Sequence, residues 1–361
     1  MNAELSRRMR IARALCIGFM LFAHISPGAE ELDYQQFGYR PFDVVRFILS
    51  DIFGRASTPL LSIIGGYLAV LSCKRDSYPT LIRKRFRTLI VPMVSWNVLA
   101  VLVVVASGIF LGRQELIDRF DITAPEWVNL VFALGSPPIN TQLAFLRDLF
   151  ACFLLFPVLR AVARRFPVLL LAALFAWFAT DVKLYFVMRP IIPLLFTLGI
   201  IVADRGIPTD ILDRWAAPIV TSFVVYLVLI SAYDVARQLE IITPVDQFAV
   251  AHKANFIEIR RFLGALAFWI FAGWLNRDGN RLGDMIARYD PYVFPLFCSH
   301  LLVMTALWHL WMPFFGDYYG TWYPVFYAVN PAISIAAAWV WVEAIRREPR
   351  GLLVSMFSAR A

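Results

Sequence analysis

The chain has 361 residues, 60% of them hydrophobic and 17% charged, with a mean hydropathy of +0.66. A soluble domain is closer to half apolar and a quarter charged, so a large soluble domain is excluded and a single all-α, polytopic membrane domain over residues 1–361 is expected. The formal net charge of +8 does not mark a nucleic-acid binder, because the basic residues cluster in short loops between apolar runs, where they set topology.

The first run follows Arg7, Arg8 and Arg10 and has the start of a signal peptide. Arg13 and His24 interrupt it and no A-x-A site follows, so it is read as a retained span at about 10–26. If this span is α-helical throughout, eleven steps of about 100° return His24 to within roughly 20° of Arg13, roughly 16 Å further along the axis. Ionisable groups inside a span are costly and face a protein interior or a wet cavity. The pair is therefore expected to bound a chamber, Arg13 toward the inner side and His24 toward the outer.

The segment 27–56 is polar and aromatic, with an amphipathic piece near 41–53. A second span is expected at about 57–73, then a basic loop at 74–87 and a third span at about 88–111. A charged loop with Arg113, Glu115, Asp118, Arg119, Asp121 and Glu126 separates it from a fourth span at about 141–160. Further spans are expected at about 166–182, 186–203, 215–234, 257–275, 291–312 and 322–345, making about ten in all. With the N-terminus in the cytoplasm, the larger share of the basic residues falls in cytoplasmic loops, so both termini are expected inside. No internal repeat and no long linker is visible. The four cysteines (Cys16, Cys73, Cys152, Cys298) lack metal-ligand spacing and read as buried free thiols, so no metal is expected.

Several polar groups inside or beside these spans could carry chemistry. His24 can take a proton from a hydroxyl nucleophile, or else bond a neighbouring helix near the interface. His300 lies near mid-membrane and either serves a site or joins two helices. His309 reads as interfacial, and His252 is given no role. Arg83, Arg85 and Arg87 form the densest basic cluster, suited to phosphates of a ligand or to anionic lipid heads. Arg147 and Asp148 point about 100° apart on a helix, so they need not form one closed pair. Arg147 either snorkels or meets a carboxylate. Arg55 precedes Ser57, Thr58 and Pro59 and the Gly65-Gly66-Tyr67 step, whose small residues permit close helix approach. No G-x-x-x-x-G-K-[ST] loop occurs, which argues against an NTPase.

Taken in order, these residues resemble the membrane-bound acyltransferase-3 family. Arg13 and His24 have the basic-x10-His spacing of that family's first span. The stretch from Pro59 to Gly65-Gly66-Tyr67 matches its Pro-x5-Ser-Gly-aromatic step, with Gly65 in the serine position. Arg83 and Arg87 match an R-x-x-x-R element, followed by Pro92. Ala144-Phe145-Leu146 before Arg147-Asp148 stands where members carry Trp-Phe-Leu, and Leu296 to His300 matches a late histidine segment. The run from Phe53 to Ser62 is most similar to the branch that succinylates succinoglycan.

The resemblance implies a multi-pass O-acyltransferase of the bacterial inner membrane. Its donor would be acyl-CoA, succinyl-CoA by branch or else acetyl-CoA, used as co-substrate with no permanently bound cofactor. Its acceptor would be a hydroxyl of an exopolysaccharide or lipid-linked oligosaccharide. His24 and Arg13 take the catalytic positions, with His24 either deprotonating the hydroxyl for direct attack or carrying the acyl group briefly. Arg83, Arg85 and Arg87 hold the CoA phosphates, and Arg55, Ser57, Tyr67, Arg147, Asp148 and His300 bind substrate. A polysaccharide or small-anion transporter, which needs the same intramembrane charges without consuming a thioester, is the rival reading, and an envelope scaffold the third.

Overall fold

The structure is a computed structural model that describes residues 3–28, 38, 40–111, 123–180, 182, 184, 187, 189–238, 253–347 and 351–357. The expected loop residues Arg113, Glu115, Asp118, Arg119 and Asp121, and also His252, lie outside the described residues. Among the described residues the regular structure is all helical, apart from one isolated bridge between Leu184 and Val187.

Helices occupy every position where a span was expected. Among the described residues, six are long and apolar enough to cross a bilayer: 41–73, 78–107, 141–165, 211–236, 290–315 and 323–345. Pro167–Thr180 and Ile191–Asp204 are apolar but shorter, and Lys253–Leu275 is apolar from Arg261 onward. The expected span 57–73 is reproduced as Ser57–Cys73, bounded by Arg55 before it and Lys74-Arg75 after it. Pro167–Thr180 has no buried residue, and its Val168, Leu169 and Phe175 are all exposed. So much bare apolar surface suits lipid rather than water.

The N-terminal segment departs from expectation. It begins earlier, as the α-helix Ala3–Met20, and then tightens into a 3-10 turn, Leu21–His24. Seven α steps followed by four 3-10 steps carry His24 to roughly 100° from Arg13 instead of roughly 20°, with a rise of roughly 18 Å. The two residues therefore do not share one helical face. The chain becomes extended at Ile25 (φ −73°, ψ 123°), two residues before Pro27, as helices tend to end ahead of a proline.

The chain groups into two compact units. The first comprises residues 1–61, 208–293 and 303–336. In it Ala3–Met20 packs on Lys253–Leu275, which packs in turn on Ala216–Gln238. Arg8 is buried there and donates to both oxygens of Asp213 at 2.6 and 2.7 Å and to the Trp269 carbonyl at 2.9 Å. Its guanidinium also lies 4.3 Å from the Trp269 ring. A Cβ on Gly273 would meet Arg8 at 2.6 Å, so the glycine makes room for the guanidinium. Arg7 reaches the Asn276 carbonyl at 2.5 Å and Asp284 at 2.9 Å. Two arginines that read as topology signals are thus also the residues that fasten the first helix.

The second unit comprises residues 62–207, 294–302 and 337–361. Ile191–Asp204 packs on Ala144–Arg165, and Asp204 is held at one end by Arg160 (2.6 and 2.7 Å) and Arg164 (3.1 Å). Gly66 lies directly against the Phe196 carbonyl and Gly199 against the Ile63 carbonyl, with no space for a Cβ at either. The small-residue step therefore does what its composition suggests, bringing two backbones into contact.

Candidate functional site

In the first unit the reactive candidate is His24, half-buried as the last residue of the 3-10 turn. The carbonyls at the end of a helix lack intrahelical partners. Here side chains from other segments supply them. Ser50 Oγ donates to the Phe22 carbonyl at 2.7 Å, the Tyr323 hydroxyl to Ser26 at 2.9 Å, and Arg46 Nη2 to Pro27 at 3.3 Å. Ser50 also meets the Tyr327 hydroxyl at 2.5 Å. Arg46, Ser50, Tyr323 and Tyr327 are all buried. Behind Arg46, the buried Asp43 accepts from the Tyr318 hydroxyl and from the Arg40 backbone at 2.7 Å. Sequence reasoning passed over this set. The available signal was spacing: Arg46 and Ser50, and Tyr323 and Tyr327, are each four apart, and four-apart residues share a face in a helix.

Arg13, more than a third exposed, donates to Asp290 at 2.7 Å. Arg55 pairs with Asp51 at 3.2 Å and is equally accessible (39%), while Ser57 is fully buried. A groove of about 610 Å³ in this unit is walled by Phe19, Phe53, Phe268, Phe271 and Trp274, with Asp213 and Arg277 also on its lining. Phe19 stacks on Phe53 and on Phe268, with centroids at 5.2 and 5.3 Å. The groove thus borders the helix that carries Arg13.

In the second unit Arg147 and Asp148 do form one closed pair. Arg147 Nε and Nη2 reach Asp148 Oδ1 at 3.1 and 2.6 Å, and Nη1 donates to the Ala133 carbonyl. Asp148 also accepts from the Arg189 backbone at 3.2 Å. The 100° between neighbouring Cβ directions did not keep them apart, because the guanidinium lies at the end of a long flexible stem. The contact also fixes Ala133, a buried non-glycine residue at φ 55°. With its guanidinium so occupied, Arg147 is a less available anion ligand than Arg55.

His300 is fully buried in the same unit, its Nδ1 at 3.1 Å from the Leu296 carbonyl. A carbonyl only accepts, so Nδ1 carries the proton and Nε2 is the basic nitrogen. Tyr67 is half-buried next to the Gly66 crossing. Arg83 and Arg87 are exposed and make no ion pair among the described residues. Arg85 lies 4.6 Å from the Phe153 ring, and Lys84 is taken by Asp76 at 2.9 Å. No cluster of metal-ligating side chains occurs among the described residues.

A chain of apolar helices that carries a half-buried histidine on a braced turn belongs to a definite class. Residues 7–342 match the acyltransferase-3 family model, an acyltransferase domain, and the chain belongs to that family. The protein is a multi-pass membrane acyltransferase. Among curated proteins it is similar to the succinoglycan biosynthesis protein ExoH of Rhizobium meliloti (strain 1021). The two are 28% identical over 364 residues, covering 100% of this chain and 94% of that protein. No solved structure matches it.

Proposed function

We propose that the protein moves a succinyl group from cytoplasmic succinyl-CoA to a hydroxyl of an envelope polysaccharide, or of its lipid-linked precursor, in the bacterial inner membrane. The observation that carries this is His24 on a side-chain-braced turn within a chain of the acyltransferase family. Full-length similarity to a succinoglycan biosynthesis protein supports the polysaccharide acceptor.

The chemistry then runs as follows. His24 accepts the proton of the sugar hydroxyl as its oxygen attacks the thioester carbonyl. The C–S bond breaks, and the CoA thiolate takes the proton back from the imidazolium. Arg83 and Arg87, exposed and outside any ion pair among the described residues, receive CoA phosphates through bidentate hydrogen bonds, with Arg85 beside them. Within the first unit, the apolar groove beside Phe19 suits a long flexible chain. Arg13, in its pair with Asp290, fixes the charge on the inner part of the first helix. Substrate binding is assigned to Ser57 in the first unit and to His300 and Tyr67 in the second, where Arg147 and Asp148 hold each other and the Arg189 backbone.

Succinyl carries a free carboxylate, and such a charge needs a cationic partner wherever water is scarce. Arg55 takes this role, since its link to Asp51 is long and its side chain stays accessible. Arg55→Ala is expected to raise KM for succinyl-CoA by roughly 10-fold or more, the worth of a charged hydrogen bond, and to leave KM for acetyl-CoA unchanged. Equal losses for both donors would remove Arg55 from this role. The function itself is tested by deleting the gene and measuring ester-linked succinate on envelope glycans. The ester should disappear and return with the intact gene. An unchanged ester content overturns the proposal.

A further inference from the structure

The turn that ends in His24 and the residues just after it offer three carbonyls, at Phe22, Ser26 and Pro27, and buried side chains answer each one. The contacts at Phe22 and Ser26 each lie two residues from His24, and the one at Phe22 falls inside the turn and continues to a second hydroxyl. A carbonyl can only accept, so the Ser50 hydroxyl proton points at Phe22. Ser50 must then accept from Tyr327, giving a one-way chain from the Tyr327 O–H through the Ser50 O–H to the Phe22 carbonyl.

Two backbone features bring Ser50 to this place. It lies in a π-helical stretch, Phe47–Phe53, a wide turn that is rare and concentrates at functional sites. Gly54 follows, and a Cβ there would meet the Ala23 Cβ at 2.8 Å and the Ala23 nitrogen at 3.1 Å. The turn is thus seated against Gly54 and held from the side by Ser50. The Phe22 ring, 5.6 Å from the Tyr327 ring, packs on the same pair.

We infer that Ser50 and Tyr327 are positioning residues for His24, acting through the Phe22 carbonyl to fix where the imidazole stands in acyl transfer. The inference rests on the function proposed above. A general base acts only within hydrogen-bond reach of its proton, and a misplacement of about 1 Å can cost ~100-fold in rate.

The test uses the full chain in lipid nanodiscs, with succinyl-CoA as donor and polysaccharide from a deletion strain as acceptor, following release of free CoA thiol. Ser50→Ala should lower kcat ~10- to 100-fold with KM for both substrates unchanged, and Ser50→Thr should restore it. Tyr327→Phe should cost less, since Ser50 can still donate to Phe22. In the Ser50→Ala background Tyr327→Phe should add nothing, because its hydroxyl acts through Ser50. Wild-type kcat in Ser50→Ala, or a double variant that loses the product of the two single effects, overturns the inference. If Ser50→Ala yields no folded protein, Tyr327→Phe decides alone: a lower kcat at unchanged KM upholds the inference, and a wild-type kcat overturns it. His24→Ala is measured alongside. Activity retained there removes the proposed function, whereas an inactive His24→Ala beside a fully active Ser50→Ala removes only the positioning role.

Discussion

His24→Ala is expected to reduce acyl transfer by ~100- to 10,000-fold, the range over which a positioned acid–base group acts. The substitution removes the imidazole, while the ties that hold the neighbouring backbone remain. The helix before it is fastened by Arg7 and Arg8, and the turn itself by donors to Phe22, Ser26 and Pro27. The amount and thermal stability of the folded protein should therefore hardly change. Gel-filtration profile and melting temperature in detergent report the fold, and thiol release reports the chemistry. A variant that stays folded and keeps its rate would take His24 out of the reaction. A variant that is inactive only because it does not accumulate would make His24 a structural residue.

Asp148→Ala is expected to cost about 3–5 kcal/mol of stability, the usual result of removing one partner of a buried ion pair. Asp148 is completely buried and Arg147 is 7% exposed, so the guanidinium cannot turn to water for compensation. Asp148 also takes the Arg189 backbone N–H, which would lose its acceptor. The double change Arg147→Met with Asp148→Leu should be far milder, because replacing both charges by apolar groups leaves none stranded. Thermal midpoints of the three proteins in one detergent measure this. An Asp148→Ala protein as stable as the unaltered one would mean that the pair carries no weight in the fold.

The sequence revealed the helices well and their side-chain partnerships poorly. The limits of Ser57–Cys73 were legible because a 17-residue apolar helix is framed by arginine and lysine, and charge changes sharply at both ends. The number of crossing helices was less so. Apolar content alone does not separate a span from a short buried or lipid-facing helix such as Pro167–Thr180, and among the described residues six helices reach spanning length. The 3-10 turn at Leu21–His24 was hidden because no glycine or proline interrupts the four residues themselves. The warning lay downstream, in Ser26-Pro27-Gly28, where a proline forbids helix to continue.

The candidate site divides in the same way. Arg13 and His24 were found from their rarity inside an apolar run, which is a local signal. Their common face was inferred from uniform α geometry and failed where the geometry changed. The partners of these residues lie far along the chain: Asp290 is 277 residues beyond Arg13, and Tyr327 is 277 residues beyond Ser50. No periodicity in one sequence encodes such pairings, because they depend on which helices become neighbours. Arg147 and Asp148 are the opposite case. They are adjacent, and backbone direction left open whether they pair, which the long arginine side chain decides by closing the gap.

One measurement bears most directly on the central claim, that an acyl group leaves a thioester and arrives on a glycan through this chain. Purified protein in nanodiscs is given succinyl-CoA labelled in the acyl group, with and without polysaccharide from a deletion strain. The account predicts thiol release that depends on the polysaccharide, with the label recovered as an ester on it in equal amount. Label that crosses the membrane still attached to CoA, or polysaccharide that remains unlabelled while the thioester stays intact, would contradict it.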